Sequence, residues 1–314
     1  MSHSPLRLGT RRSPMAVAQS TAVSRAITAR TSREVELVGI DSAGDASREL
    51  LTQIGGTGVF VSSLRASLLA GEIDFAVHSL KDLPTEPMAG IMLAAVPGRD
   101  DPRDALAARD GAKLADLPSG AKIGTGSPRR AAQLLIMRPD IRPVPVRGNA
   151  GTRLAKVERG ELDAVVLAHA GLARIDRLDA VSQVFEPDEM LPAPGQGALA
   201  VECCRGREDL AALLGSVDDP VSRAATDAER ALLSDLQAGC AAPVGAYAAG
   251  TEVLRLRGMV VAADGGKALR GSASGPLTAA EQIGRELAAD LLSRGAGGYM
   301  AVSGGHLSSG DDDK

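Results

Sequence analysis

The 314-residue chain contains no tryptophan, two tyrosines and three phenylalanines. With so few rings there are no aromatic platforms on which the bases of a single strand would stack. The formal net charge of −4 removes the basic footprint that duplex binding needs. No nucleic-acid partner is therefore expected, and Val, Leu, Ile and Ala must fill the core. Cysteine is equally scarce: Cys203, Cys204 and Cys240 offer neither a disulfide framework nor a Cys-x-x-Cys metal spacing, so a reducing cytoplasm is expected. The four histidines, His3, His78, His169 and His306, are too scattered for a zinc signature, no Gly-x-Ser-x-Gly elbow occurs, and no metal is expected. No 18 apolar residues run together, and residues 1–5 lack the charged-then-apolar pattern of a secretion signal. Neither a membrane nor export is predicted.

What is abundant is arginine, 29 against six lysines. Its planar fork grips carboxylates through two hydrogen bonds, although coding bias would give the same count. At this length one hydrophobic core stops growing, so two or three domains are expected. A short strand at 6–9 leads to Ser13 as helix cap and Pro14 at the first helical position. Strands at 35–40, 75–77 and 91–96 and helices to about 30 and at 59–70 continue a βα alternation. The pattern breaks over the polar, Pro-rich stretch 97–103. It restarts with strands at 122–124, 144–146 and 164–168 and helices from Ser127 and Gly151. A strand at 198–203 returns to the first sheet in this reading. A helix over 222–233, strands at 244–247, 253–261 and 268–274 and a helix over 278–293 make a small third unit. The expected division is 1–98 with 198–216, then 99–197, then 217–302, with 303–314 a tail or expression remnant.

Several turns carry chemistry. His78-Ser79-Leu80-Lys81-Asp82-Leu83-Pro84 sets an amine and a carboxylate where a strand ends, the place open α/β folds keep their sites. The nearby proline is expected to hold the Asp82 backbone extended. Such a carboxylate can stabilise a cation or shuttle a proton, or simply pair with Lys81. Gly124-Thr125-Gly126-Ser127-Pro128-Arg129-Arg130 puts a hydroxyl cap and two guanidiniums at a helix start, where backbone N–H groups favour anions. It lacks the P-loop spacing. Arg147-Gly148-Asn149-Ala150-Gly151-Thr152-Arg153 repeats the theme one turn on, so four arginines can converge. Arg11, Arg99 and Arg103 would let two facing domains clamp a polycarboxylate. Cys240, after Gly239 in a loop, suits an accessible thiol, although a packed, inert one is as common. His78 and the Cys203–Cys204 pair read as packing residues. Gln196 between two glycines either meets a ligand or marks a hinge. Without Asp82 and Cys240 these residues would also suit a solute receptor or a regulatory domain sensing a polyacid.

Seven motifs in one order carry a resemblance: Thr10-Arg11-Arg12-Ser13-Pro14, the 78–84 segment, Asp101-Pro102-Arg103-Asp104, the 124–130 and 147–153 turns, Pro194-Gly195-Gln196-Gly197 and Gly239-Cys240. From about Leu6 to the end of the third unit the chain resembles the hydroxymethylbilane synthase (porphobilinogen deaminase) family. The resemblance implies two periplasmic-binding-protein-like α/β domains plus a small C-terminal α+β domain. It implies a transferase in tetrapyrrole biosynthesis that deaminates four porphobilinogens and condenses them on a covalent dipyrromethane cofactor. It further implies a thioether at Cys240 and Asp82 as the catalytic carboxylate. Lys81, Asp82, Ser127, Arg129, Arg130, Arg147, Gly148 and Arg153 would hold the cofactor. Arg11, Ser13, Arg147, Arg153, Arg174, Gln196 and Arg99 would hold porphobilinogen and the growing polypyrrole, on a monomer. The chain departs from the family at Gln53 and Thr57, where many members carry lysines, and at Pro128, where an apolar residue is common. Lid charge should be lost without loss of catalysis.

Overall fold

The computed structural model describes residues 4–40, 58–239, 242–262 and 265–301. Cys240, the Gln53 and Thr57 positions and the 303–314 segment lie outside them. In chain order the elements are β1 (Leu6–Arg11), α1 (Pro14–Thr31), β2 (Val35–Ile40), α2 (Gly58–Leu69), β3 (Phe75–Ser79), β4 (Ile91–Ala95), β5 (Asp104–Ala108), β6 (Lys122–Thr125) and α3 (Pro128–Met137). There follow β7 (Arg142–Pro145), α4 (Ala150–Glu158), β8 (Ala164–Ala168), α5 (His169–Arg174), β9 (Gln183–Phe185), β10 (Leu199–Cys204), α6 (Glu208–Gly215) and α7 (Pro220–Asp235). The last are β11 (Val244–Ala249), β12 (Val253–Val261), β13 (Ala268–Pro276), α8 (Ala280–Ser293) and α9 (Ala296–Ala301).

Two five-stranded mixed sheets follow one plan. The first runs β2-β1-β3-β10-β4 and the second β7-β6-β8-β5-β9. In each, three parallel strands are joined by an antiparallel strand that has crossed from the other lobe: β10 beside β3, and β5 beside β8. The opening helices are made alike. Ser13 Oγ accepts from the Ala16 N–H and Ser127 Oγ from the Arg130 N–H, with a proline at the first helical position of each. Each sheet buries one phenylalanine, Phe75 or Phe185, among aliphatic side chains.

β5 differs from the expectation of an irregular stretch before residue 122. Its sequence, Asp-Ala-Leu-Ala-Ala, has few β-branched residues and begins with a charge, so nothing local marks a strand. Tertiary pairing forms it, β8 on one side and β9 on the other. α6 was likewise unanticipated.

The two crossings lie side by side. Asp100 N–H donates to Gly197 O at 3.3 Å. Gly197 has φ +87°, and a Cβ there would come 2.5 Å from Asp100 O, so only glycine lets the strands approach. The third unit packs α7 and α8 on the antiparallel sheet β11-β12-β13. It touches both lobes. Asp218 and Asp219 bond the backbone of Val96, Ala246 N–H donates to Pro192 O, and Met259 and Val261 pack with Ala132 of α3 and Leu191.

Candidate active site

β3 ends in a 3-10 turn over Leu80–Asp82, and only Leu83, directly before Pro84, is extended, at φ −82° and ψ 124°. This corrects the expectation for Asp82: the steric effect of proline reaches one residue back, not two. Asp82 is exposed and makes no hydrogen bond or ion pair with any described residue. Lys81 is half-buried, and its Nζ donates to Gln196 Oε1 at 3.2 Å. Burial, then the neighbouring Arg130, pushes the ammonium down to about 8, against the weaker pull of Asp82 and Asp104.

Across the crossing, Asp104 at the start of β5 is wholly buried. Its Oδ1 accepts from Arg130 Nε and Nη2 at 3.0 and 2.7 Å and from Gln196 Nε2 at 2.8 Å. Arg129 Nη1 lies 2.8 Å from its Oδ2. Burial alone would raise this carboxyl's pKa; the two guanidiniums outweigh that and hold it well below the usual carboxylate range. Arg129 and Arg130 are thus buried and engaged rather than spread in an open cleft, Arg129 also donating to Leu191 O and Arg130 to Val166 O.

The neighbouring turn differs. Arg147 and Gly148 are exposed, and Arg147 makes no ion pair among the described residues. Arg153 is half-buried and donates from Nε to Gly148 O, with no carboxylate partner there. Burial, then Arg130, pulls its guanidinium below its ordinary value. Gly126 brings the two turns together, since a Cβ there would sit 3.0 Å from Val146 O and 3.9 Å from an Arg153 nitrogen.

The remaining candidates fall into two groups. Arg11 and Ser13 lie at the opening turn of the first lobe, both half-buried. Arg99, Arg174 and Gln196 belong to the hinge. Arg99 forms two hydrogen bonds to Glu229, at 2.7 and 3.0 Å, and a third to Gln196 O. Arg174 binds Asp100 and Gly197 O. Gln196 is buried, joining Lys81 and Arg130 through Oε1 to Pro102 O and Asp104 through Nε2. His78 is buried with its Nε2 3.2 Å from Glu202, which Arg65 also grips.

Three residues were not anticipated. Asp104 stood in a quoted motif without a role. Glu229 and Arg230, adjacent on α7, fall inside the helix expected over 222–233, where nothing in the sequence singles them out. In the fold Glu229 is wholly buried and accepts from Arg99 twice, from Gly195 N–H and from Ala248 N–H. Arg230 donates to the carbonyls of Leu83 and Pro84, both at 2.8 Å.

The donor set therefore has cations in excess. Lys81 meets only an amide, while Arg147 and Arg153 meet no carboxylate among the described residues. That surplus beside a solvent-facing carboxylate fits a molecule carrying several carboxylates, as dipyrromethane does. Fold and site together define a two-lobed α/β protein with a surplus of cations at its strand ends.

Comparisons narrow the class. The family model "Porphobilinogen deaminase, dipyromethane cofactor binding domain" matches residues 6–212, and "Porphobilinogen deaminase, C-terminal domain" matches 224–293. The chain is 60% identical to a porphobilinogen deaminase of Thermobifida fusca, over 96% of this chain and 97% of that one. It is 54% identical to porphobilinogen deaminase 1 of Streptomyces coelicolor, over 96% and 98%. Among solved structures, an arginine-specific periplasmic binding protein of Salmonella typhimurium matches at TM-score 0.40 and 15% identity, over 70% of this chain and 94% of that one. The chain belongs to the porphobilinogen deaminase family. It is a transferase of tetrapyrrole biosynthesis, deaminating and condensing four porphobilinogens on a dipyrromethane cofactor to give hydroxymethylbilane and ammonia.

Proposed function

We propose that Asp82 is the catalytic carboxylate of this reaction and that Cys240 attaches the cofactor. The observation that carries the reading is the exposed Asp82, without a partner among the described residues, on a turn whose neighbour Lys81 faces the second lobe's cations. When bound, dipyrromethane supplies a nucleophilic pyrrole end and a permanent anchor for the product chain. Loss of ammonia from porphobilinogen builds positive charge on that substrate, and Asp82 stabilises it at a position fixed before the reaction. The same carboxylate takes a proton as each new bond forms.

Lys81, Ser127, Arg147, Gly148 and Arg153 hold the carboxylates of the cofactor in this reading, and Arg11, Ser13, Arg147 and Arg153 those of porphobilinogen. Arg129 and Arg130 meet carboxylates only with guanidinium N–H groups that Asp104 leaves over, so we give them mainly the task of shaping the turn. Arg99, Arg174 and Gln196 serve the substrate indirectly, by fixing the crossings. We assign residues 1–98 with 198–216, 99–197 and 217–302 to three domains, on the strength of the sheet orders and the return of β10. We further take the enzyme to be a cytoplasmic monomer. Three cysteines whose spacing offers no disulfide framework favour that compartment.

Intact-mass spectrometry with an ammonia-release assay tests the assignment. Asp82→Asn should keep its covalent adduct and lose about 10²-fold or more in turnover. Cys240→Ser should fold, weigh only its amino acids and make no tetrapyrrole. Near-normal turnover in the first variant, or an adduct in the second, would refute the roles.

A further inference from the structure

The turn that presents Asp82 is pinned from two sides. From the crossing, Leu80 N–H donates to Ala198 O at 3.0 Å, and Gln196 accepts from Lys81. From the third unit, Arg230 reaches across 147 and 146 residues of chain to the carbonyls of Leu83 and Pro84, with a longer contact to Leu80 O at 3.5 Å. One guanidinium thus holds backbone on both sides of Asp82. The preceding residue on α7, Glu229, fixes both crossings. Ten residues after Arg230 the chain reaches Cys240.

We propose that Arg230 is a positioning residue for the reaction: by clamping the Leu80–Pro84 turn to α7 it sets the place of the Asp82 carboxylate relative to the cofactor-bearing unit. This rests on the catalytic reading of Asp82. The physical reason is preorganisation. A carboxylate that must face a developing charge is effective only if its backbone does not yield at that moment, and misplacement by about 1 Å is enough to cost on the order of 10²-fold in rate. Arginine suits the task because its fork spans two carbonyls at once, whereas lysine offers a point charge.

A double-mutant cycle on the holoenzyme tests this, using Arg230→Gln, Arg230→Lys, Asp82→Asn and their combinations, each checked by intact mass for the adduct. Arg230→Gln should lower kcat by roughly 10-fold to 10²-fold with KM little changed. Arg230→Lys should fall between it and the parent. In the Asp82→Asn background the same substitutions should change the residual rate by less than about twofold, because the residue acts only through that carboxylate. Hydrogen exchange supplies a readout independent of turnover: the Leu83 amide, which donates to Leu80 O, should exchange about tenfold faster in Arg230→Gln. Unchanged kcat in both Arg230 variants, full additivity with Asp82→Asn, or unchanged Leu83 exchange would each overturn the proposal. If Arg230→Gln does not fold, Arg230→Lys carries the cycle under the same criteria. Activity retained by Asp82→Asn alone would instead remove the reading beneath it.

Discussion

The two lobes share a strand order and a capped opening helix, yet they use the returning antiparallel strand differently. In the first, β10 carries Glu202, a buried carboxylate held by Arg65 and facing His78 inside the sheet. In the second, β5 carries Asp104, equally buried but at the strand's start, beside the first turn of α3. The Asp104 carboxylate shares Gln196 with Lys81, whereas the Glu202 carboxylate meets Arg65 and His78. The difference teaches that a common scaffold places a carboxylate on the same strand in both lobes, and that its distance from the strand ends decides whether it merely holds the sheet or also shapes the site.

Removing each carboxylate should expose that contrast. Asp104→Asn leaves two buried guanidiniums short of a counter-charge, and breaking such a cluster typically costs about 3–5 kcal/mol. The variant should show a marked fall in Tm, and whatever folds should lose most of its turnover because the Ser127–Arg130 turn is released. Glu202→Gln uncovers one guanidinium and should cost about 3 kcal/mol or less, with turnover per folded molecule largely kept. Equal activity loss in the two would erase the distinction. Acid adds a sharper version. Both carboxyls titrate below their ordinary range, Glu202 at about 2 through His78 and Arg65 despite burial. A depressed carboxyl contributes stability that is present above its unfolded pKa and lost as pH falls through the folded one. Both losses therefore belong to strongly acid solution and leave the neutral range flat.

The smallest effect concerns Lys81, which belongs to the first lobe but is perturbed by the second. Its lowered pKa means the charged form is penalised in the fold, so stability rises as pH climbs from about 8 towards the ordinary 10.5. Carboxylates arriving with the cofactor should restore the ammonium. Amine-labelling rates at Lys81, followed by mass spectrometry, should titrate near 8 in Cys240→Ser and higher in the loaded enzyme. Identical curves would show that no cofactor carboxylate reaches this amine.

Much of this could be read before folding because it is local. Ser-Pro caps, glycine-bearing turns and strand ends lie within a few residues of one another, so Ser13, Lys81, Asp82, Ser127 and Arg153 were all marked by their own neighbourhoods. Asp104, Glu229 and Arg230 were not, for a shared reason. Asp104 finds Arg130 26 residues away, and Arg230 finds Leu83 at 147. Nothing in an alanine-rich strand or an amphipathic helix announces such partners. The same gap covers Arg99, Gln196 and Arg174, which the resemblance places at the substrate and whose bonds among the described residues run to hinge backbone and carboxylates.

Glu229 has a thermodynamic consequence. One desolvated carboxylate draws its four donors from the first crossing, the second crossing and β11. Melting the third unit alone would strand the Gly195 N–H and leave Arg99 without its counter-ion, which makes partial unfolding costly. Calorimetry should accordingly record a single cooperative endotherm for the whole chain, with Glu229→Gln the substitution that splits it.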